Sequence, residues 1–136
     1  MDEHQIMARC EQLAAAAKKA GNSPVGSVVV LHGVIIGEGI ESATSDENIT
    51  RHAEMKALQQ ARQKVGKDLS EATLYSTHEP CVMCAYAARF HRIRKVVYQQ
   101  SVTPLGSVSS NFNLLTSEEV PDSWGTAPEV IHLKKG

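Results

Sequence analysis

The chain has 136 residues, room for one domain, and 42% of them are hydrophobic, enough to fill a core without covalent staples. A formal net charge of −1 gives no bulk attraction to polyanions, and 4% aromatics is thin for a base-stacking surface. No apolar run approaches the roughly 20 residues of a membrane span, and the acidic opening MDEHQIMARCEQ is unlike a secretory leader, so a cytoplasmic protein is expected.

Residues 2–20 are predicted helical: Ile6, Cys10, Leu13 and Ala17 recur at helical spacing among alanines, and Gly21-Asn22 with Pro24 beyond ends the run. The β-branched stretch Ser27–Leu31 and the run Val34–Ile36 flank His32-Gly33, which predicts a hairpin at one end of a sheet. Residues 41–50 are polar and form a loop. Helical spacing returns from Arg51 to about Val65 through Ala53, Ala57, Leu58 and Ala61, with Thr50 as N-cap and Gly66 as stop. Residues 72–76 make a third strand. Glu79-Pro80 opens a second long helix that runs to about His91, because proline suits a first helical turn. Lys95–Tyr98 is a fourth strand. Beyond Ser101 the periodicity fades, and only Glu129–Leu133 reads as a strand. Strand–helix alternation from residue 51 onward predicts an α/β sandwich with parallel pairing in that half, one domain over residues 1–136.

Three cysteines, an odd number, argue against a disulfide framework. Cys10 falls on the buried stripe of the first helix and reads as a small apolar residue. Cys81 and Cys84 stand apart as a C-x-x-C pair, three positions apart, so their sulfurs leave one helical turn on nearly the same face. His52, at the start of the other helix, supplies an imidazole. One imidazole and two thiolates suit zinc, and three protein ligands leave a fourth position for water, the mark of a catalytic site. Helix N-termini favour the thiolates. Glu54, two positions after the histidine, reaches that water without being a ligand. Hydrolysis of a ring C–NH₂ group needs an activated water and then a proton for the departing nitrogen, and a neighbouring carboxylate can carry that proton.

The paired signature, His52-Ala53-Glu54 and Pro80-Cys81-Val82-Met83-Cys84, is the H-x-E … P-C-x-x-C pattern of zinc deaminases acting on nucleobases. With Pro24-Val25-Gly26, Gly37-Glu38-Gly39 and Thr73-Leu74-Tyr75 around it, the chain resembles the cytidine and deoxycytidylate deaminase superfamily over roughly residues 5–100. The branch it resembles most holds tRNA adenosine deaminases and bacterial guanine deaminases. The resemblance implies a three-layer α/β/α fold around a mixed five-stranded sheet. It also implies one zinc ion per chain on His52, Cys81 and Cys84, with Glu54 as the catalytic proton shuttle. A homodimer is implied by the same likeness.

Other readings of these residues explain less. A redox C-x-x-C pair gives no role to His52 or Glu54. A structural zinc site needs a fourth protein ligand, and no spacing recommends Cys10, His78 or His91. His4, His91 and His132 read as solvated, His32 as a turn residue. His78, at a strand end three positions before Cys81, has the better claim on the pocket. The run Arg89, Arg92, Arg94, Lys95 reads as a solvated face at a helix end.

For the substrate, a tRNA deaminase is expected to carry a basic surface and, by the resemblance, a long basic C-terminal helix. This chain is near neutral, and its tail, 101–136 with Asn111, Phe112 and Trp124, reads as a lid over a small-molecule pocket. Where relatives commonly place an asparagine, the alignment gives Glu41, an acceptor-only group that would face N–H donors. Ser27, Glu41, Ala53, Pro80 and Trp124 are the expected substrate contacts. The expectation is hydrolytic deamination of a free base or similar small heterocycle of the guanine, cytosine or aminotriazine kind, with no nucleic-acid or membrane partner. A tRNA adenosine deaminase and a catalytically idle zinc scaffold are the alternatives.

Overall fold

Asp2 starts the first helix, α1 (Glu3–Lys19), through a reciprocal cap: its carboxylate accepts from Gln5 N at 2.9 Å while Gln5 Oε1 accepts from Asp2 N at 3.0 Å. The structure, a computed structural model, describes residues 1–102 and 104–135. Strands β1 (Gly26–Leu31) and β2 (Val34–Ile40) follow, joined by His32 and Gly33 at φ 50° and 78°, the left-handed pair that a two-residue hairpin turn requires. Then come α2 (Ala53–Val65), β3 (Thr73–His78), α3 (Val82–Phe90), β4 (Lys95–Gln100), a 3₁₀ turn (Asp122–Trp124) and β5 (Glu129–His132).

The sheet order is β2-β1-β3-β4-β5. β1 pairs antiparallel with both neighbours, and β3, β4 and β5 are parallel. This is the predicted mixed five-stranded α/β sheet. Alternation along the strands divides the core. Val28, Val30, Tyr75 and Val97 face Ile6, Met7, Cys10 and Leu13 of α1. Val29, Leu74 and Val96 face Ala57, Leu58 and Ala61 of α2 and Ala85 and Ala88 of α3. Period-two alternation thus puts one helix on one face and two on the other, the three layers expected. α2 lies directly on β2: a Cβ at Gly39 would come 2.2 Å from Ala53 O, and one at Gly37 2.2 Å from Ala57 O. Only glycine permits that approach, and it fixes the first turn of α2.

Several local expectations need correction. Thr50 does not cap α2; its hydroxyl donates to Asn48 Oδ1 at 2.7 Å, and the helix begins at Ala53 with His52 in the cap position. α3 begins at Val82, with Cys81 as its cap residue. Pro80 lies before it, because Glu79 N still donates to Gln100 O at 2.8 Å and prolongs the sheet. The basic run is not one solvated face. Arg89 is 2% exposed, and its Nη1 donates to Leu114 O at 3.1 Å and to Ser117 O. Arg92 reaches Ser123 O at 2.6 Å. These contacts fasten the β4–β5 connection, which contains no α-helix among its described residues. His91 is half-buried and donates through Nδ1 to Ala87 O at 2.7 Å, whereas His132 is exposed, as expected, and stacks on Tyr98 at 4.7 Å.

Candidate active site

Two helix starts meet at the ends of β2 and β3. His52 presents Nδ1 to both cysteines, 3.5 Å from Cys81 Sγ and 3.5 Å from Cys84 Sγ, and the two sulfurs are 3.7 Å apart. All three donor atoms lie within 4.8 Å of one another, the one such group among the described residues. A tetrahedron with Zn–S of about 2.3 Å and Zn–N of about 2.0–2.1 Å has edges of about 3.5–3.8 Å. The triangle matches one face of it. The donor set and the spacing therefore fit zinc, with His52, Cys81 and Cys84 as holders.

Without a metal the three donors share their protons unevenly, and the Cys81 contact together with burial raises the Cys84 thiol. The Cys81 thiol is drawn down to about 4, first by its contact with Cys84 and, against desolvation, by His52. His52 is raised to about 9, chiefly by its hydrogen bond to Cys81. Glu54 is the third element. It is 4% exposed, its Oε1 lies 3.9 Å from Cys84 Sγ, and its Oε2 accepts from Ser76 Oγ at 3.0 Å. Desolvation raises its carboxyl to about 7. A carboxyl held there can take up and release a proton at neutral pH.

These groups open onto a cavity of about 440 Å³, lined by Pro24, Val25, Glu41, His78, Glu79 and Val102 among others. Glu41 is 8% exposed and lines it. The remaining expected contacts fall elsewhere. Ser27 is fully buried and spends its hydroxyl on Tyr75 O at 2.6 Å. Ala53 is buried in α2 and donates its N–H to Glu41 Oε1 at 3.4 Å. Pro80 is buried, with its carbonyl taken by Ser107 N at 3.0 Å and Ser107 Oγ at 2.6 Å. Trp124 packs on Tyr86 at 5.3 Å and lines a separate cavity with Arg92 and Arg94. Among the described residues of the tail, Val102 reaches this cavity.

Sequence reasoning missed Ser76 and Glu79. Glu79 sits beside the metal loop and accepts four hydrogen bonds, from Val102 N at 2.9 Å, Val108 N at 2.7 Å, Ser109 N at 2.7 Å and Ser109 Oγ at 2.7 Å. Gly106 lies against it: a Cβ there would meet Glu79 Oε2 at 2.4 Å. The only sequence signal for this was an acid immediately before Pro80-Cys81.

An imidazole–dithiolate cage beside a buried carboxylate, set at helix starts over a mixed sheet, defines a zinc hydrolase type of site. The chain belongs to the cytidine and deoxycytidylate deaminase family: the "Cytidine and deoxycytidylate deaminase zinc-binding region" matches residues 1–100. It is 44% identical over 132 residues to the tRNA-specific adenosine deaminase 2 of Danio rerio, which covers 92% of this chain and 61% of that protein. The match thus spans under two thirds of that relative's length. Among solved structures, it resembles one from work on A-to-I editing by tRNA:A34 deaminases (TM-score 0.85, 30% identity, 95% of this chain and 97% of that one). It also resembles a guanine deaminase from Bacillus subtilis (TM-score 0.73, 29% identity, 94% and 83%).

Proposed function

We propose that this chain is a hydrolytic deaminase that exchanges an amino group on a nucleobase-type heterocycle for oxygen and releases ammonia. One observation carries the reading: Glu54, a buried carboxyl, lies 3.9 Å from Cys84 Sγ against the His52–Cys81–Cys84 cage without being part of it. Zinc held by those three residues supplies an activated water as nucleophile. The chain's own groups do the rest. Glu54 Oε1 takes one proton from the attacking water and delivers it to the ring nitrogen. It then takes the second from the oxygen newly bonded to carbon and delivers it to the amine, so that the C–N bond breaks and ammonia leaves. Ser76 Oγ, donating to Oε2, keeps the other oxygen aimed at the reacting atoms. Pro24, Val25 and Val102 give the cavity apolar walls, and its volume of about 440 Å³ suits a single heterocycle.

The relatives support adenosine in a tRNA as substrate, since the proteins at 44% identity and at TM-score 0.85 are named for it. A free base is the second reading, and the cavity favours it. Its described lining residues include Glu41, Glu54 and Glu79 and no lysine or arginine, so a phosphate backbone gains nothing there. A homodimer belongs to the same proposal; Tyr86 and Phe90, 48% and 52% exposed on α3, are apolar surface available to it.

The test is an ammonia assay on zinc-loaded protein with a panel of bases, nucleosides and tRNA. Turnover of at least one substrate, abolished in Glu54→Ala while zinc stays bound, is the expected result. Ammonia release that survives that change would remove Glu54 from the chemistry. Binding of tRNA that weakens with salt selects the first substrate, and its absence at low salt selects the second.

A further inference from the structure

Three carboxylates line the cavity, and they are not equivalent. Glu79 is saturated, each of its oxygens taking two donors from the Val102–Ser109 segment. Glu54 is engaged with Ser76 and committed to moving protons. Glu41 alone has acceptor capacity to spare. Its main chain is fixed at the end of β2, where its N–H donates to Val25 O at 3.0 Å, and its side chain turns inward to 8% exposure. Its only contacts among the described residues are two long ones, from Ala43 N to Oε2 at 3.3 Å and from Ala53 N to Oε1 at 3.4 Å. Each carboxylate oxygen accepts two hydrogen bonds, so both keep a free lone pair. A buried acceptor with lone pairs open to a ligand cavity, and no lysine or arginine among the described lining, gains from a donor on the ligand.

We infer that Glu41 is a specificity-determining residue that accepts from an N–H of the substrate other than the amino group that leaves. The substrate class is then a heterocycle with a ring N–H or a second amino group on that edge, as in guanine, isocytosine or 2,6-diaminopurine. An edge of bare ring nitrogens, as adenine offers at the same place, would set lone pair against lone pair. The inference rests on the deaminase reading and separates its two substrates. A role for Glu41 confined to capping α2 through Ala53 N predicts something else: its loss would weaken every base alike.

The test measures binding without turnover, by calorimetry on zinc-loaded Glu54→Ala protein, with matched pairs that share one amino group and differ by a second N–H. These are adenine against 2,6-diaminopurine, and 2-aminopurine against guanine. With Glu41 present, the member bearing the extra N–H binds tenfold or more tighter, as expected for a hydrogen bond to a charged acceptor. Glu41→Gln narrows the preference to under threefold. Equal binding within the pairs, a preference untouched by Glu41→Gln, a uniform loss across all four bases, or no binding of any would each overturn the assignment. Failure of the deaminase reading is distinguishable: the protein with Glu54 intact would bind the diamino base and release no ammonia.

Discussion

Glu54 places an acid largely out of solvent, and that has a measurable cost. Its carboxyl stands at about 7 against an ordinary 4.5, because burial penalises the charge. Between those values the folded chain keeps a proton at Glu54 that the unfolded chain has released. The metal-free fold therefore loses stability as pH rises through that window, by roughly 3 kcal/mol from this group. Cys81 and His52 also titrate in chelated protein, so the loss is read as a difference: relative to Glu54→Gln, the parent should lose about that much stability between pH 5 and pH 8 in chemical denaturation. An identical slope in both proteins would mean that the group ionises freely. Replacing His52 with alanine, or Cys84 with serine, removes one corner of the 3.5–3.7 Å triangle. Bound zinc measured after dialysis should then fall by tenfold or more. At this scale the two motifs were legible because their residue types and spacing state their chemistry. Ser76 and Glu79 were not, because their partners lie 22 to 30 positions away, and a serine or an acid carries no sign of a distant partner.

At the scale of elements, the two helices that carry the site are set by how closely they approach the sheet. Gly39 leaves the space into which Ala53 O fits, so Gly39→Ala forces the first turn of α2 away from β2. The expected cost is about 2–3 kcal/mol, typical of overpacking, read as a lower urea midpoint. Zinc affinity should fall with it, since His52 moves with that turn. Strands, hairpin and parallel half were readable from alternation and turn residues. The helix starts were not. Thr50 is a good cap by type, but a carboxylate from the end of β2, Glu41, takes the Ala53 N–H instead. Proline favours a first turn, yet Glu79 continues the β3–β4 pairing past the point where a helix could have begun.

For the molecule as a whole, the least regular part is the connection from β4 to β5, which the sequence left without a period. It is ordered by side chains rather than by helix. Arg89 reaches Leu114 and Ser117 from inside, Leu115 is fully buried, and Glu79 gathers Val102, Val108 and Ser109. Arg89→Leu should leave those carbonyls unpaired, lower stability by about 1–3 kcal/mol, and open residues 114–124 to protease in limited digestion. Cleavage no faster than in the parent would show that the connection holds without it. Assembly is tested separately. If the exposed α3 face joins two copies, Tyr86→Ser with Phe90→Ser should shift the sedimentation coefficient to that of a monomer.

The cage comes from two short stretches, residues 52–54 and 81–84, while Val102 on the cavity wall belongs to that irregular connection. Part of the cavity wall thus lies on a length of chain separable from the cage. A library confined to residues 101–115, with Glu79 and its donors retained, should retune what enters while leaving the cutting step alone.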